Sequence, residues 1–387
     1  MRAERLRIPL AWLQLSWDKL RLCAALSGIV FAVALMLIQL GFSDALYLAA
    51  VQIHERLNGD LVMLSSQYEY LLGAKSYSER YLYQTLAFPE VASVSPVYVG
   101  LGSWKNLESH RELPIFVMGF DPRLDVFNIP EIKAGLPLLR LADVVFFDEG
   151  SKPEYGSFRS ALAAGRMETT EVSGHRVVVG GDFMLGISFA SDGNLITSDQ
   201  NFLRIMPGRQ VGIINIGLIR LKPGTNPESA RKRILPTLPV GIQLMTHAQF
   251  VSYEQTYWAK RTPIGFIFNM GTFVGFLVGA VIVYQILYTD VSDHLKEYAT
   301  LKAMGYTDRF LYGVVIREGL ILALIGFVPG WLFSSGMSIL TRKVTLLPSY
   351  MTFGRSLIVL TLTILMCVGS GMLAMRKLRS ADPADNF

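Results

Sequence analysis

The chain has 387 residues, of which 51% are hydrophobic and only 17% charged, and its mean hydropathy is positive. That balance excludes an ordinary soluble globular protein and points to a membrane protein. The 36 Lys and Arg against 31 Asp and Glu form a small basic excess. It is spread along the flanks of apolar runs and is not gathered as a nucleic-acid surface would require. Both cysteines, Cys23 and Cys367, fall inside apolar runs, so no disulfide is expected in the chain between them. No His or Cys spacing suits zinc, and no metal or cofactor is expected.

The first segment, residues 1–21, carries Arg2, Arg5, Arg7, Lys19 and Arg21 around Pro9 to Trp17. It reads as an interfacial helix in which Trp12 and Trp17 set membrane depth. A helix needs about 20 apolar residues to cross a bilayer core. Four stretches without a charge reach that length: Leu22 to Ser43, Thr262 to Thr289, Gly319 to Thr341 and Ser356 to Met375. The first is long and lacks a small-x-small site after its core, so it is expected to stay as a span and not to be cleaved as a signal peptide.

Lys and Arg in short flanking segments set orientation. The N-terminal segment, the link at residues 290–318 with Lys296, Lys302, Arg309 and Arg317, and the tail at residues 376–387 with Arg376, Lys377 and Arg379 are expected on the cytoplasmic side. The short loop at residues 342–355 dissents with Arg342, Lys343 and Arg355. Four spans still place both termini together, which leaves residues 44–261 outside the cytoplasm.

That outer region changes to the grammar of an α+β domain, with short β-rich runs between Pro, Gly, Asp and Asn. Expected strands are Val91 to Val99, Pro114 to Gly119, Asp143 to Phe147, Arg176 to Gly180, Val211 to Leu221 and Gly241 to Thr246. Between the last two, Asn226 is placed to cap a helix that opens with Pro227, giving a β-α-β unit. Gly180 to Asn194 reads as strands joined by tight turns. Two lobes are expected.

The link Asp290 to Glu318 places Leu295, Tyr298, Leu301 and Met304 at helical spacing, with Gly305 set to end the helix and Thr307 or Asp308 to cap the next. Its plain reading is an interfacial anchor; its sharper one is a docking helix for a cytoplasmic motor. Gly271, Gly275 and Gly279 stand four residues apart, a stripe that lets another helix approach, from the same chain or a second copy. Asp44 and Glu318 fall at span ends and are expected to stay hydrated. With no buried charge series, a secondary transporter or channel is disfavoured. There is no phosphate-binding G-x-x-x-x-G-K-[ST] motif, so an ATPase would have to be a separate chain. The histidines at 54, 110, 175, 247 and 294 are scattered with no evident nucleophile, and no catalytic residue is assigned.

Several stretches in order carry a family resemblance: Thr262 to Phe268, Val283 to Tyr288, Asp293 to Tyr306 and Asp382-Pro383-Ala384. Over essentially its full length the chain resembles the FtsX/MacB-like permeases of ABC transporters, and the DevC-type branch in particular. The resemblance implies a type VII permease: four transmembrane helices with a large inserted α+β periplasmic domain, in a bacterial inner membrane. It implies that Glu297, Tyr298, Leu301, Lys302, Ala303, Met304, Gly305 and Tyr306 form the coupling interface to the ATPase. The expected partners are a DevA-like ATPase, a DevB-like periplasmic adaptor, a TolC-like outer-membrane channel reached indirectly, a second copy of the chain, and membrane lipids. The implied activity is mechanotransmission that exports a lipid, glycolipid or other hydrophobic cargo, with an FtsX-like signalling subunit regulating wall hydrolases as the alternative.

Overall fold

The computed structural model describes residues 19–106, 108–188 and 191–379. The expected N-terminal interfacial helix, apart from its end, and Asp382-Pro383-Ala384 lie outside them. The chain divides into two compact units, one comprising the residues up to Asp44, Ile264–Val344 and those from Ser349, the other Ala45–Pro263 with Thr345–Pro348.

In chain order, α1 is Lys19–Arg56, followed by β1 Leu61–Ser65, β2 Tyr77–Ser78, α2 Arg80–Gln84, β3 Val91–Lys105 and β4 Glu112–Phe120. Next come α3 Pro130–Leu139, β5 Val144–Asp148, α4 Arg159–Ala163, β6 Glu168–Val172, β7 His175–Phe183 and β8 Asn194–Ser198. After α5 Asp199–Ile205 lie β9 Ile213–Ile214, β10 Ile216–Leu221, α6 Pro227–Ile234, β11 Ile242–Thr246 and α7 His247–Thr256. The remainder is helical: α8 Pro263–Asp293, α9 Leu295–Ala303, α10 Asp308–Thr345 and α11 Phe353–Arg379.

The second unit is α+β and is built on one nine-stranded sheet, in the order β11-β1-β10-β3-β4-β8-β5-β7-β6. The fifteen-residue β3 pairs with β10 through its first half and with β4 through its second. Its far end reaches β6 through Trp104 and Val172. A single sheet therefore runs through the region where two lobes were expected.

Alternation along the strands splits their side chains between two cores, as a period of two requires. Leu61, Met63, Ile115, Val117, Val145 and Phe147 enter one. Val62, Leu64, Phe116, Met118, Val144 and Phe146 enter the other. Because both faces are covered, β1 and β8 are buried at every residue. Neither was anticipated: β1, LVMLS, is a continuous apolar run without alternation, and β8, NLITS, begins and ends on polar residues.

The expected helix after Asn226 is present, with the Asn226 side chain accepting from the amides of Glu228 at 2.9 Å and Ser229 at 3.2 Å. The surrounding β-α-β unit is split. β1 lies between β10 and β11, antiparallel to both, so the two parallel strands that flank α6 are not neighbours.

The strands expected to be joined by tight turns between Gly180 and Asn194, β7 and β8, are not neighbours in the sheet. β5 separates β7 from β8, and the connection is a longer loop fastened from beneath. The buried Asp148 carboxylate accepts from the amides of Gly150 and Leu185, both at 2.9 Å, of Gly186 at 3.0 Å, and from Asn194 Nδ2 at 2.8 Å. Burial pushes this carboxyl up, and the hydrogen bonds that it accepts oppose the shift.

Trp104 is fully buried, stacks on Phe147 at 5.2 Å and donates from Nε1 to the Tyr155 carbonyl at 3.0 Å. Trp104→Ala should destabilise the sheet unit by about 3–5 kcal/mol, read as a lower denaturation midpoint of its near-ultraviolet signal in the detergent-solubilised chain.

Candidate functional site

The first unit is built from α1 up to Asp44 with α8 to α11, and these four long helices are each apolar enough to cross a membrane. They meet where side chains are smallest. A Cβ on Gly279 would lie 2.4 Å from Met366 Sδ and 2.6 Å from the Ala32 Cβ; one on Gly271 would lie 2.6 Å from Gln39 Cδ; one on Gly275 would lie 3.3 Å from Leu35 and Met36. The glycine stripe of α8 is therefore occupied by α1 of the same chain, backbone close to backbone.

A second stripe went unnoticed in the sequence. Cβ atoms on Gly326 and Gly330 of α10 would fall 2.6 Å from Ile29 Cγ2 and 2.8 Å from Val33 Cγ1 of α1. The four-residue spacing of that pair was the available signal. The opposite face of α8 shows Phe266, Ile267, Met270, Phe273, Val274, Leu277 and Val281 exposed, a continuous apolar surface of the kind that lipid or another helix covers.

The short helix α9 follows α8 after a one-residue break at His294, whose amide still donates to the Asp290 carbonyl at 3.2 Å. Arg21 of α1 holds this corner, with Nη2 donating to Asp293 Oδ2 at 2.7 Å and Nη1 lying 3.5 Å from Asp290 Oδ1. At the other end Gly305 has φ +91, a conformation that other residues adopt only with strain. The Tyr306 amide then donates back to the Leu301 carbonyl at 3.1 Å, closing the helix as a Schellman motif.

Of the expected coupling residues, Glu297, Ala303, Gly305 and Tyr306 are exposed and Met304 is 63% exposed. Leu301 instead leans on Val291, Leu311, Val315 and Met375. The side chains of Tyr298 and Lys302 lie outside the described part of the structure. Leu301 and Met304 thus do not share one buried face, because α9 ends at Ala303 and Met304 lies beyond it.

Glu318 is not hydrated, as a span-end position suggested. It is 0% exposed, and among the described residues neither carboxylate oxygen has a hydrogen-bond partner. The signal was positional only: α10 begins ten residues earlier, at Asp308, which places Glu318 inside a helix and not at its mouth. Asp44, by contrast, is half exposed and lies 3.5 Å from Arg355 Nη1. The Arg355 guanidinium is buried, donates to the Tyr350 carbonyl, and occupies space that Gly41 leaves open. Of the three dissenting cations in the short loop, one is therefore an internal partner of α1.

The α+β unit holds its own buried polar cluster. Glu254 of α7, 1% exposed, accepts from Tyr68 Oη at 2.7 Å, Trp258 Nε1 at 3.0 Å and the Leu71 amide at 3.2 Å, with His54 Nε2 at 3.3 Å. Burial raises its carboxyl, but the hydrogen bond and charge of His54, with the hydrogen bonds from Tyr68 and Trp258, outweigh it and hold the carboxyl below its ordinary value of 4.5. The Tyr68 hydroxyl is correspondingly pushed up, by burial first and by the Glu254 charge second. Among the described residues no cluster of three His, Cys, Asp or Glu side chains could hold a metal.

Four long helices apolar enough to cross a membrane are joined to one sheet-based unit, and known proteins share features of this chain. Residues 269–383 match the family model described as the FtsX-like permease C-terminal, a region that includes α9. Two uncharacterized ABC transporter permeases from strains of Mycobacterium tuberculosis are each 22% identical over 383 residues, covering 96% of this chain and 97% of theirs. The chain is thus similar at low identity to ABC transporter permeases, and its C-terminal region to FtsX-like permeases.

Among solved structures, the periplasmic region of MacB from Actinobacillus actinomycetemcomitans is similar at 13% identity over 52% of this chain and 94% of its own, with a TM-score of 0.35. The extracellular domain of the transporter YknZ from Gram-positive bacteria is similar at 14% identity over 49% and 99%, with a TM-score of 0.33.

Two expectations follow. Gly279→Leu has no room for its side chain and should destabilise the helical unit by at least about 1–3 kcal/mol, measured as a lower melting temperature in detergent. Glu254 contributes stability that is present above its unfolded-state value and lost as pH falls through its depressed folded-state value. Glu254→Gln should therefore cost about 1.5–3 kcal/mol at neutral pH, and the gap to the wild type should close below about pH 4.5 in urea titrations.

Proposed function

We propose that the chain is the membrane permease of an ATP-driven, MacB-like export machine. It sits in a bacterial inner membrane with both termini in the cytoplasm and the sheet unit on the outer side. The observation that carries this reading is the FtsX-like match at residues 269–383, which spans α9 together with the helices on either side of it. ABC permeases work with an ATPase, and a separate ATPase chain of the DevA type would dock on α9 and push the helices.

The energy would reach the outer unit as motion and not as a substrate path between the spans. Exposed Met304 and Tyr306, beside the glycine-closed end of α9, offer the motor a docking surface. The outer unit would then work with a periplasmic DevB-like adaptor leading to a TolC-like channel, and the cargo would be a lipid, glycolipid or other hydrophobic molecule. A homodimer would pack through the exposed Phe266 to Val281 face of α8, because its glycine face is already filled by α1.

Mild-detergent capture of the tagged chain from its native membranes tests the partners. Recovery of a nucleotide-binding ATPase together with a periplasmic adaptor is the expected result; an ATPase with a wall-hydrolase regulator in place of the adaptor would replace export with signalling. Within that complex, Met304→Glu should lower the transport-linked ATPase rate by roughly tenfold, the equivalent of one lost hot-spot contact. The protein should stay at its normal level in the membrane. Unchanged coupling in this variant would remove α9 from the motor interface.

A further inference from the structure

Three segments of the sheet unit converge on the one buried carboxylate of Glu254. The first is the end of α1, which brings His54. The second is the turn after β1, which brings the Tyr68 hydroxyl and the Leu71 amide. The third is α7 with the π-helical turn Tyr257–Arg261 that follows it, which brings Trp258. Further contacts brace the same point. His247 Nε2 lies 2.9 Å from the His54 carbonyl, the Tyr253 hydroxyl donates to the Tyr68 carbonyl at 3.1 Å, and the Phe250 ring lies 4.5 Å from that of His54. The Tyr70 ring stacks on Tyr257 at 5.0 Å.

The first and third of these segments are those through which the chain enters and leaves the unit. The return segment changes character immediately after the cluster. The π-helical turn ends at Thr262, which is extended at φ −112 and ψ 157 before α8 begins at Pro263. A widened turn followed by a non-helical residue is a usual place for a joint. The fastening therefore sits on one side of a break in the helix.

We infer that Glu254, with His54, Tyr68 and Trp258, is a transmission node: it holds the entering and returning segments of the outer unit at fixed separation, so that motion is taken up at the Thr262 joint and not lost between the two segments. This rests on the proposed function for the source of the motion. The residues are positioning residues, and they touch no cargo. A carboxylate saturated by donors from three segments suits the task, since charge-assisted bonds are short, directional and costly to break one at a time.

The test uses the full chain with its ATPase partner in nanodiscs, with spin labels at exposed Glu55 and Ser252 to read the separation of the two segments. A second label pair across the outer unit of a dimer reads its overall response to ATP. In the wild type the Glu55–Ser252 distance should stay narrow and unchanged by ATP while the outer pair responds. Glu254→Gln, which turns one acceptor into a donor facing donors, should broaden the first distance and reduce the ATP response of the second roughly tenfold, the value of a lost charge-assisted bond. ATPase binding and basal hydrolysis should persist.

His54→Gln, which keeps a donor at the Nε2 position, should retain most of the response. Trp258→Phe, which removes only the Nε1 donor, serves if Glu254→Gln fails to fold. An ATP-dependent change in the Glu55–Ser252 distance of the wild type, or a full outer response in both Glu254→Gln and Trp258→Phe, would overturn the node and leave the proposed function standing. A wild type whose outer unit never responds to ATP would overturn both.

Discussion

The helical unit depends on how closely α1 is approached by its neighbours. Gly271, Gly275 and Gly279 on α8 and Gly326 and Gly330 on α10 all face it, and each gives up a side chain so that two backbones can meet. Within a bilayer apolar burial does not separate helix from lipid, so dispersion contact at these crossings must supply the cohesion. The large apolar residues are consequently turned outward, as the exposed faces of α8 and α10 show. An arrangement that spends its small residues inside and its large ones outside is inverted relative to a water-soluble bundle and is the one a lipid solvent favours.

The same tight crossings give the few polar groups of the helical unit their meaning. Arg355 reaches Asp44 across the space left by Gly41, and Arg21 ties the end of α8 to α1 beside α9. These contacts sit near opposite ends of the helices and fix positions that apolar packing alone leaves free to slide. Glu318, without a hydrogen-bond partner among the described residues, is the exception, and its burial is a cost that packing elsewhere must offset. A bundle organised in this way holds the start of α9 while leaving the far end of that helix exposed.

The sheet unit solves a different problem by the opposite means. Its sheet is covered on both faces, so large aromatic and β-branched residues are drawn inward. Its buried carboxylates Asp148 and Glu254 are held by donors from several segments. The first pins a loop and the second fastens the ends of the unit. Neither carboxylate is marked by local sequence, since Glu254 stands in HAQFVSYEQT among residues with no obvious connection to His54 or Tyr68.

What the sequence determined by itself was whatever depends on near neighbours in the chain. Four apolar runs of span length, the Asn226 cap with Pro227 behind it, the Gly305 helix stop and the stronger strands were all legible, because hydropathy, capping and turn chemistry act over a few residues. The tertiary structure decided everything that depends on which distant segments meet. It placed β1 between β10 and β11, merged two expected lobes into one sheet, set α1 against the glycine stripe, buried Glu318, separated Leu301 from Met304, and gathered three side chains and a backbone amide around Glu254. Long-range pairing and burial are collective properties of the packed chain, and a local pattern such as LVMLS or a lone glutamate carries no record of its partner.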